Sequence, residues 1–294
     1  MSLRFQIFYR ILKILGPKGN LTIEQIRQKS AKLMSFFPAA SDVEFSRFMI
    51  GALPAAWVHA PGSKRDQVIL FFHGGGYTAG SIETHQDLLG RISKSSGLDV
   101  LAIDYRLAPE NPFPAALEDA LAAYQFLLDQ KITPDHIFVA GSSCGGALVL
   151  SLFFKLRDAK KTLPKAGICL CPWVDLAFTG STLQTNEGKD LVHTARIQNA
   201  AKLYLQGHDS RDPYASPLYG DLKGLPPLLV QAGTREILLD EIKRLVQKAK
   251  DCGVSLDFQR FDGMIHTWQL YASKIPEGQQ AIEKIGDFIR KRAT

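Results

Sequence analysis

The run His136-Ile137-Phe138-Val139-Ala140-Gly141-Ser142-Ser143-Cys144-Gly145, continued by the apolar stretch Ala147 to Leu156, decides the fold. Residues 136–140 are β-branched, aromatic and small, which reads as a buried strand. Residues 147–156 are apolar over a length that suits a helix rather than a second strand. Between them stands G-x-S-x-G. Glycines and serines are common, so five residues alone say little. A strand, a sharp turn and a helix around them say much more. Such a turn holds Ser143 in a strained backbone conformation with its hydroxyl exposed. The flanking glycines follow, because a Cβ there would strike the adjoining strand or helix.

A second glycine-rich turn supports the first. His73-Gly74-Gly75-Gly76-Tyr77 follows the strand-like run Gln67-Val68-Ile69-Leu70-Phe71-Phe72. A serine that attacks a carbonyl must be matched by N–H donors aimed at the oxygen that becomes negative. Glycines after a strand supply such donors with no side chain in the way. Gly75 and Gly76 are the candidate donors, joined by the N–H of Cys144, the residue after the serine.

Composition is ordinary for a globular enzyme: 294 residues, 46% hydrophobic and 22% charged. The net charge of +6 is spread over separate helical faces such as Lys155–Lys165, Lys243–Lys250 and Arg290–Arg292. No aromatics interleave with these basic residues, and no nucleic-acid motif is present, so nucleic acid is excluded as a partner. The spacing of Cys144, Cys169, Cys171 and Cys252 fits neither a zinc site nor a disulfide framework. Cys169 and Cys171 are expected on one face of a buried strand. Unpaired cysteines and the lack of a readable secretory signal point to a reducing, cytoplasmic setting. Residues 5–15 form an apolar helix interrupted by Arg10 and Lys13, too short and too charged to span a bilayer. Their expected place is over the active site.

The chain reads as one α/β domain, residues 1–294. Two helices are expected before residue 40, broken at Gly16-Pro17-Lys18-Gly19-Asn20, with Thr22 capping the second. Strands are expected at 43–50, 55–59, 67–72, 100–104, 136–141, 166–171, 228–233 and 255–261. Helices are expected at 84–96 and 115–130, from the elbow to about 158, and at 238–251 and 277–292. The stretch from Asp175 to about Pro213 is irregular and partly helical, an insertion over the sheet edge.

A serine hydroxyl needs a base, and the base needs an orienting acid. Three histidines follow Ser143: His193, His208 and His266. The first two fall in the insertion. His266 follows the strand at 255–261, where a base belongs. For the acid, Glu236 comes first after the strand at 228–233, and Asp240 stands a helical turn further on. Glu236 is preferred. Asp104-Tyr105-Arg106 is given a structural role, with Arg106 tying loops together through Asp104 or Glu110.

With these residues in place, the chain resembles the bacterial hormone-sensitive-lipase family of esterases. The matching segments are His73–Gly76, Asp104–Glu110 with Phe113–Ala116, Gly141–Gly146, Pro213–Pro217, Leu225–Pro227 and Met264–His266, spanning about residues 67–270. The resemblance implies the α/β-hydrolase fold: a mostly parallel eight-stranded sheet flanked by helices, with a helical cap. The cap maps to about residues 1–45 and 176–213. The nucleophile maps to Ser143, the base to His266, the acid to Glu236 and the oxyanion donors to Gly75, Gly76 and Cys144. Two elbow positions depart from the family pattern. Ser142 stands where Asp or Thr is usual. Cys144 stands where Ala is usual, and its thiol is expected to narrow the acyl pocket. The acid is Asp in many members, and Glu236 is one methylene longer.

The resemblance implies a carboxylic-ester hydrolase acting on short- to medium-chain esters, with a small-molecule substrate, no metal and no cofactor. It leaves room for a homodimer and implies no stable membrane insertion. A lactone or amide hydrolase with the same triad is the first alternative. A catalytically silent ligand-binding protein is the second, disfavoured because serine, histidine and glycines are all present.

Overall fold

Alternate residues of single strands build the two faces of the sheet. In β3 (Lys64–Phe72), Val68, Leu70 and Phe72 enter one core, and Ile69 and Phe71 enter the other. In β5 (Ile137–Ser142), Ile137 and Val139 face the first core, and Phe138 and Ala140 the second. Both faces are covered, so the central strands are continuously apolar rather than alternating. The computed structural model describes residues 1–15 and 21–293. The expected break at residues 16–20 lies outside the described residues.

The remaining strands are β1 (Glu44–Ile50), β2 (Leu53–His59), β4 (Leu98–Ile103), β6 (Ala166–Leu170), β7 (Leu228–Gly233) and β8 (Leu256–Phe261). They form one eight-stranded sheet in the order β1-β2-β4-β3-β5-β6-β7-β8. β1 and β2 pair antiparallel, as do β2 and β4, and every later pair is parallel. The edge strands β1 and β8 keep exposed positions along their length, whereas β4 to β7 are buried throughout and β3 from Gln67 onward.

Helices α4 (Ala115–Asp129), α5 (Cys144–Asp158) and α8 (Leu239–Asp251) cover the first face. Helices α3 (Ile82–Ser96) and α9 (Pro276–Arg290) cover the second. α5 is apolar all round because it is buried all round, from Cys144 to Phe154. α3 begins with a Ser81–Thr84 capping box and ends at Gly97, whose φ of 75° only glycine adopts cheaply.

A third core forms above the sheet's carboxyl ends. Phe5 and Leu12 of α1 (Leu3–Leu15), Met34 of α2 (Ile23–Met34) and Phe37 pack there against Met264, Ile265, Trp268 and Tyr271. Thr22 caps α2 through a reciprocal bond with Gln25, as expected. The insertion carries a single turn, α6 (Thr182–Thr185), and α7 (Thr194–Leu205).

Two expectations are corrected here. Cys169 and Cys171 are both buried but do not share a face. Cys171 leaves the strand with φ 48° and joins the third core, while Cys169 stays in the first. Arg106 bonds Asp119 (2.9 Å) and Glu118 (2.9 Å), not Asp104 or Glu110. Glu110 pairs with Arg27 instead (2.7 Å), and Asp104 accepts from the Ile82 N–H (2.7 Å).

Candidate active site

The turn between β5 and α5 is strained as its sequence demands. Ser143 has φ 55° and ψ −122°, a combination rare for a residue with a side chain. Its N–H donates to the Leu170 carbonyl (2.8 Å), and its own carbonyl accepts from Gly146 (2.9 Å) and Trp173 (3.1 Å). A Cβ at Gly141 would collide with the Gly145 carbonyl, and one at Gly145 with the Phe72 carbonyl. The two glycines therefore let strand and helix close on the serine.

His266, in the loop after β8, lies between two partners. Its Nε2 is 2.8 Å from Ser143 Oγ, and its Nδ1 is 2.9 Å from Glu236 Oε2. The other oxygen of Glu236 accepts from the Gly233 N–H (2.6 Å) at the end of β7. Glu236 is wholly buried and Ser143 nearly so. Burial raises the Glu236 carboxyl, and its bond to His266 opposes that. Burial lowers the His266 imidazole, but the bond and charge of Glu236, with the nearby charge of Asp190, outweigh it, and the net shift is upward. Asp240 does not reach this group; its Oδ2 accepts from the Ser181 N–H (3.1 Å). His193 and His208 stand apart at the surface, paired with Glu187 and Asp212.

The glycine loop lies beside the serine. Gly75 has φ 130° and Gly76 φ 65°, and a Cβ at Gly75 would strike the Ala79 carbonyl. Among the described residues, the N–H groups of Gly75, Gly76 and Cys144 donate to no protein oxygen. The loop is held from beneath by His85, whose Nε2 accepts from the Gly74 N–H (3.0 Å) and lies 3.1 Å from Ser142 Oγ. Burial lowers the His85 imidazole to about 3, so it stays a neutral acceptor.

Cys144 behaves differently from expectation. It is fully buried, with its Sγ accepting from the Tyr77 N–H (3.3 Å) and 3.5 Å from the Tyr105 hydroxyl. The thiol points into the first core and lines no part of the cavity, so it does not narrow it. Burial raises it, keeping it a neutral thiol.

Sequence reasoning missed Asp190. This carboxylate, buried to 1%, accepts from the His266 N–H (3.0 Å), the Ile237 N–H (3.0 Å) and the Leu191 N–H (2.7 Å). It thus clamps the loops that carry His266 and Glu236. Nothing near Asp190 in the chain marks it, since its partners lie 47 and 76 residues away. Glu241 was missed for the same reason. It bonds the backbone of Val174 (2.7 Å) and Asp175 (3.2 Å) and shapes the loop after β6.

Above Ser143 opens a cavity of about 250 Å³. Its floor is Gly74–Gly76, Ser142, Ser143 and His266. Its roof is α2, through Ile23, Ile26 and Leu33, and the insertion, through Val192, Arg196 and Ile197. α1, expected over the active site, contributes nothing to this lining; it packs beside the cavity on the third core. One group among the described residues brings metal-ligand types together: Cys171, Glu236 and His266, with ligand atoms within 4.8 Å. Glu236 and His266 already bond each other, and burial raises the Cys171 thiol well above its usual range, which leaves it a poor ligand. No helix among the described residues is long and apolar enough to cross a membrane.

Comparison with known proteins agrees with this geometry. A family described as having the alpha/beta hydrolase fold matches residues 69–270. An acetyl-hydrolase of Streptomyces hygroscopicus is 42% identical over 242 residues, covering 82% of this chain and 81% of that protein. An esterase of Acinetobacter venetianus is 35% identical, covering 92% of this chain and 89% of that one. The crystal structure of an esterase from the bacterial hormone-sensitive lipase family superposes with a TM-score of 0.97 at 42% identity, covering 100% of this chain and 99% of the other. The chain belongs to the α/β-hydrolase family and, within it, to the bacterial hormone-sensitive-lipase family of esterases.

Proposed function

We propose that this chain hydrolyses short- to medium-chain carboxylic esters through a Ser143–His266–Glu236 triad and an acyl-enzyme. The observation that carries the reading is His266 bridging Ser143 Oγ at 2.8 Å and Glu236 at 2.9 Å on the floor of the cavity. Ser143 Oγ attacks the ester carbonyl, and its proton passes to His266 Nε2. Glu236 holds the Nδ1–H tautomer and stabilises the imidazolium. The oxyanion is received by the N–H groups of Gly75, Gly76 and Cys144. The C–O bond breaks and the imidazolium protonates the departing alcohol. Water then attacks the acyl-serine by the same route, releasing the acid and restoring Ser143.

The size of the cavity supports the chain-length preference. About 250 Å³ is small beside ordinary ligand pockets of roughly 300–1,000 Å³, so a long acyl chain would project out of it. Residues 1–45 and 176–213 act as the cap in this reading, with α2 and α7 closing over the ester. The test is a panel of 4-nitrophenyl esters from acetate to palmitate. The reading expects kcat/KM to peak at short or medium chains. A peak at palmitate, or no turnover of any ester, contradicts it.

A further inference from the structure

The cavity roof carries one charge that nothing neutralises. Arg196 lies in the first turn of α7, half-buried, and lines the cavity above Ser143. Among the described residues that line the cavity it is the only Asp, Glu, Lys or Arg. Among the described residues its guanidinium has no carboxylate within ion-pair distance and no hydrogen-bond acceptor. Arg27, on α2, is the contrast. Its guanidinium grips Glu110 through two nitrogens (2.8 and 2.7 Å) and bonds the Thr78 and Ala108 carbonyls.

Taking a guanidinium partly out of water costs free energy unless a partner compensates. Burial lowers the Arg196 guanidinium from its ordinary value without abolishing the charge. The start of α7 is met by Glu187, which accepts from the Thr194 N–H (2.9 Å) and forms its ion pair with His193, not with Arg196. Glu236 and Asp190 do not line the cavity, and both are bonded to protein donors. A mostly apolar roof, in which Ser30 of α2 and Asn199 of α7 are the other polar residues, thus includes a guanidinium, a planar fork of N–H donors suited to a carboxylate or phosphate.

We infer that Arg196 selects esters that carry an anionic group, a carboxylate or a phosphate, on the part of the substrate that reaches α7. This rests on the ester-hydrolase reading above and narrows its substrate class from neutral esters to acidic ones. The anion can come from either side of the ester bond: the far end of a dicarboxylic acyl chain, or an acidic alcohol. In either case Arg196 touches the substrate away from the reacting carbonyl, so its effect belongs mainly in KM.

The test uses two matched pairs of esters. On the acyl side, mono-4-nitrophenyl adipate is compared with 4-nitrophenyl hexanoate. On the alcohol side, 4-(butyryloxy)benzoate is compared with its methyl ester. The ratio of kcat/KM, anionic over neutral, is measured for the wild type, Arg196→Gln and Arg196→Lys. The expected result is a fall of about tenfold in this ratio for Arg196→Gln in one pair or both, carried by KM and largely restored in Arg196→Lys. The pair that responds identifies the side of the ester that meets α7. Turnover of the neutral esters with the same ratio in all three proteins overturns the assignment. Failure to hydrolyse any of the four esters overturns the ester-hydrolase reading instead.

Discussion

The floor and the roof of the cavity are built from different materials. The floor consists of backbone turns at strand ends. Ser143, His266 and Glu236 each sit just past a parallel strand, and the strands are locked by the sheet. The side chains of the triad are all bonded there, down to Asp190 holding two loops by their N–H groups, and the N–H groups of Gly75, Gly76 and Cys144 stay free of protein oxygens among the described residues. The roof consists of helix faces, α2 and α7, meeting the cavity mainly through apolar side chains, with Ser30, Asn199 and the unmatched Arg196 among them. The difference separates two jobs. A floor of fixed backbone donors and bonded side chains suits charge that must develop at a fixed point. A side-chain roof suits the choice of what enters. Floor substitutions should therefore act on kcat, and roof substitutions on KM.

The largest break in that division should come from Ser143→Ala, which removes the proposed nucleophile and should lower kcat by roughly 10⁴ or more with the fold intact. Turnover near that of the wild type in this variant would place the chemistry elsewhere.

Next is Glu236→Gln, expected to lower kcat by about 10²–10⁴ with little change in KM. A carboxylate beside an imidazole raises it, so the wild-type kcat/KM should rise with pH through a limb above about 6.5, and removing the charge should move that limb to lower pH. Asp240→Asn serves as the control. Its carboxylate stands in the first turn of α8 and should cost only about 0.3–1 kcal/mol of stability, read as a small drop in Tm, with activity kept. If Asp240→Asn is the inactive variant, the acid has been misassigned.

Asp190→Asn should be intermediate. One carboxylate oxygen becomes an NH2 that faces an N–H donor. A buried acceptor lost in this way costs about 1–3 kcal/mol. Since that acceptor orients His266, kcat should fall by about ten- to a hundredfold, and the acid limb should again move down. A loss of stability with an unchanged kcat and pH profile would reduce Asp190 to a structural strut.

The smallest effect belongs to the roof. Ile26→Ala in α2 should raise KM for an apolar ester by roughly three- to thirtyfold and affect kcat less. A variant that lost kcat at constant KM would erase the contrast between floor and roof.

The same contrast governs what could be read from the chain. The floor was legible because its residues are dictated by local geometry. Gly141 and Gly145 must be glycines for strand and helix to meet, and strand ends place Glu236 and His266 by chain order. The central strands were legible because buried parallel strands are unbroken apolar runs; β2, β3 and β4 merely begin two or three residues earlier than expected. The roof, and the side chains that support the floor, were not. Asp190 and His85 act on groups far away in sequence, and no local pattern distinguishes a buried acceptor from a solvated one. The direction of the Cys144 thiol depends on the rotamer chosen against Tyr77 and Tyr105. That α2 rather than α1 meets the cavity depends on which face each helix packs into the third core.

The central claim, that the floor delivers a serine nucleophile, is tested most directly by covalent trapping. The enzyme is treated with a 4-nitrophenyl alkylphosphonate, its intact mass is measured, and the adduct is mapped by peptide sequencing. The account predicts one adduct per chain, on Ser143, formed as activity is lost and absent from Ser143→Ala. An adduct on Cys144 or any other residue, or complete inactivation with Ser143 unmodified, would contradict it.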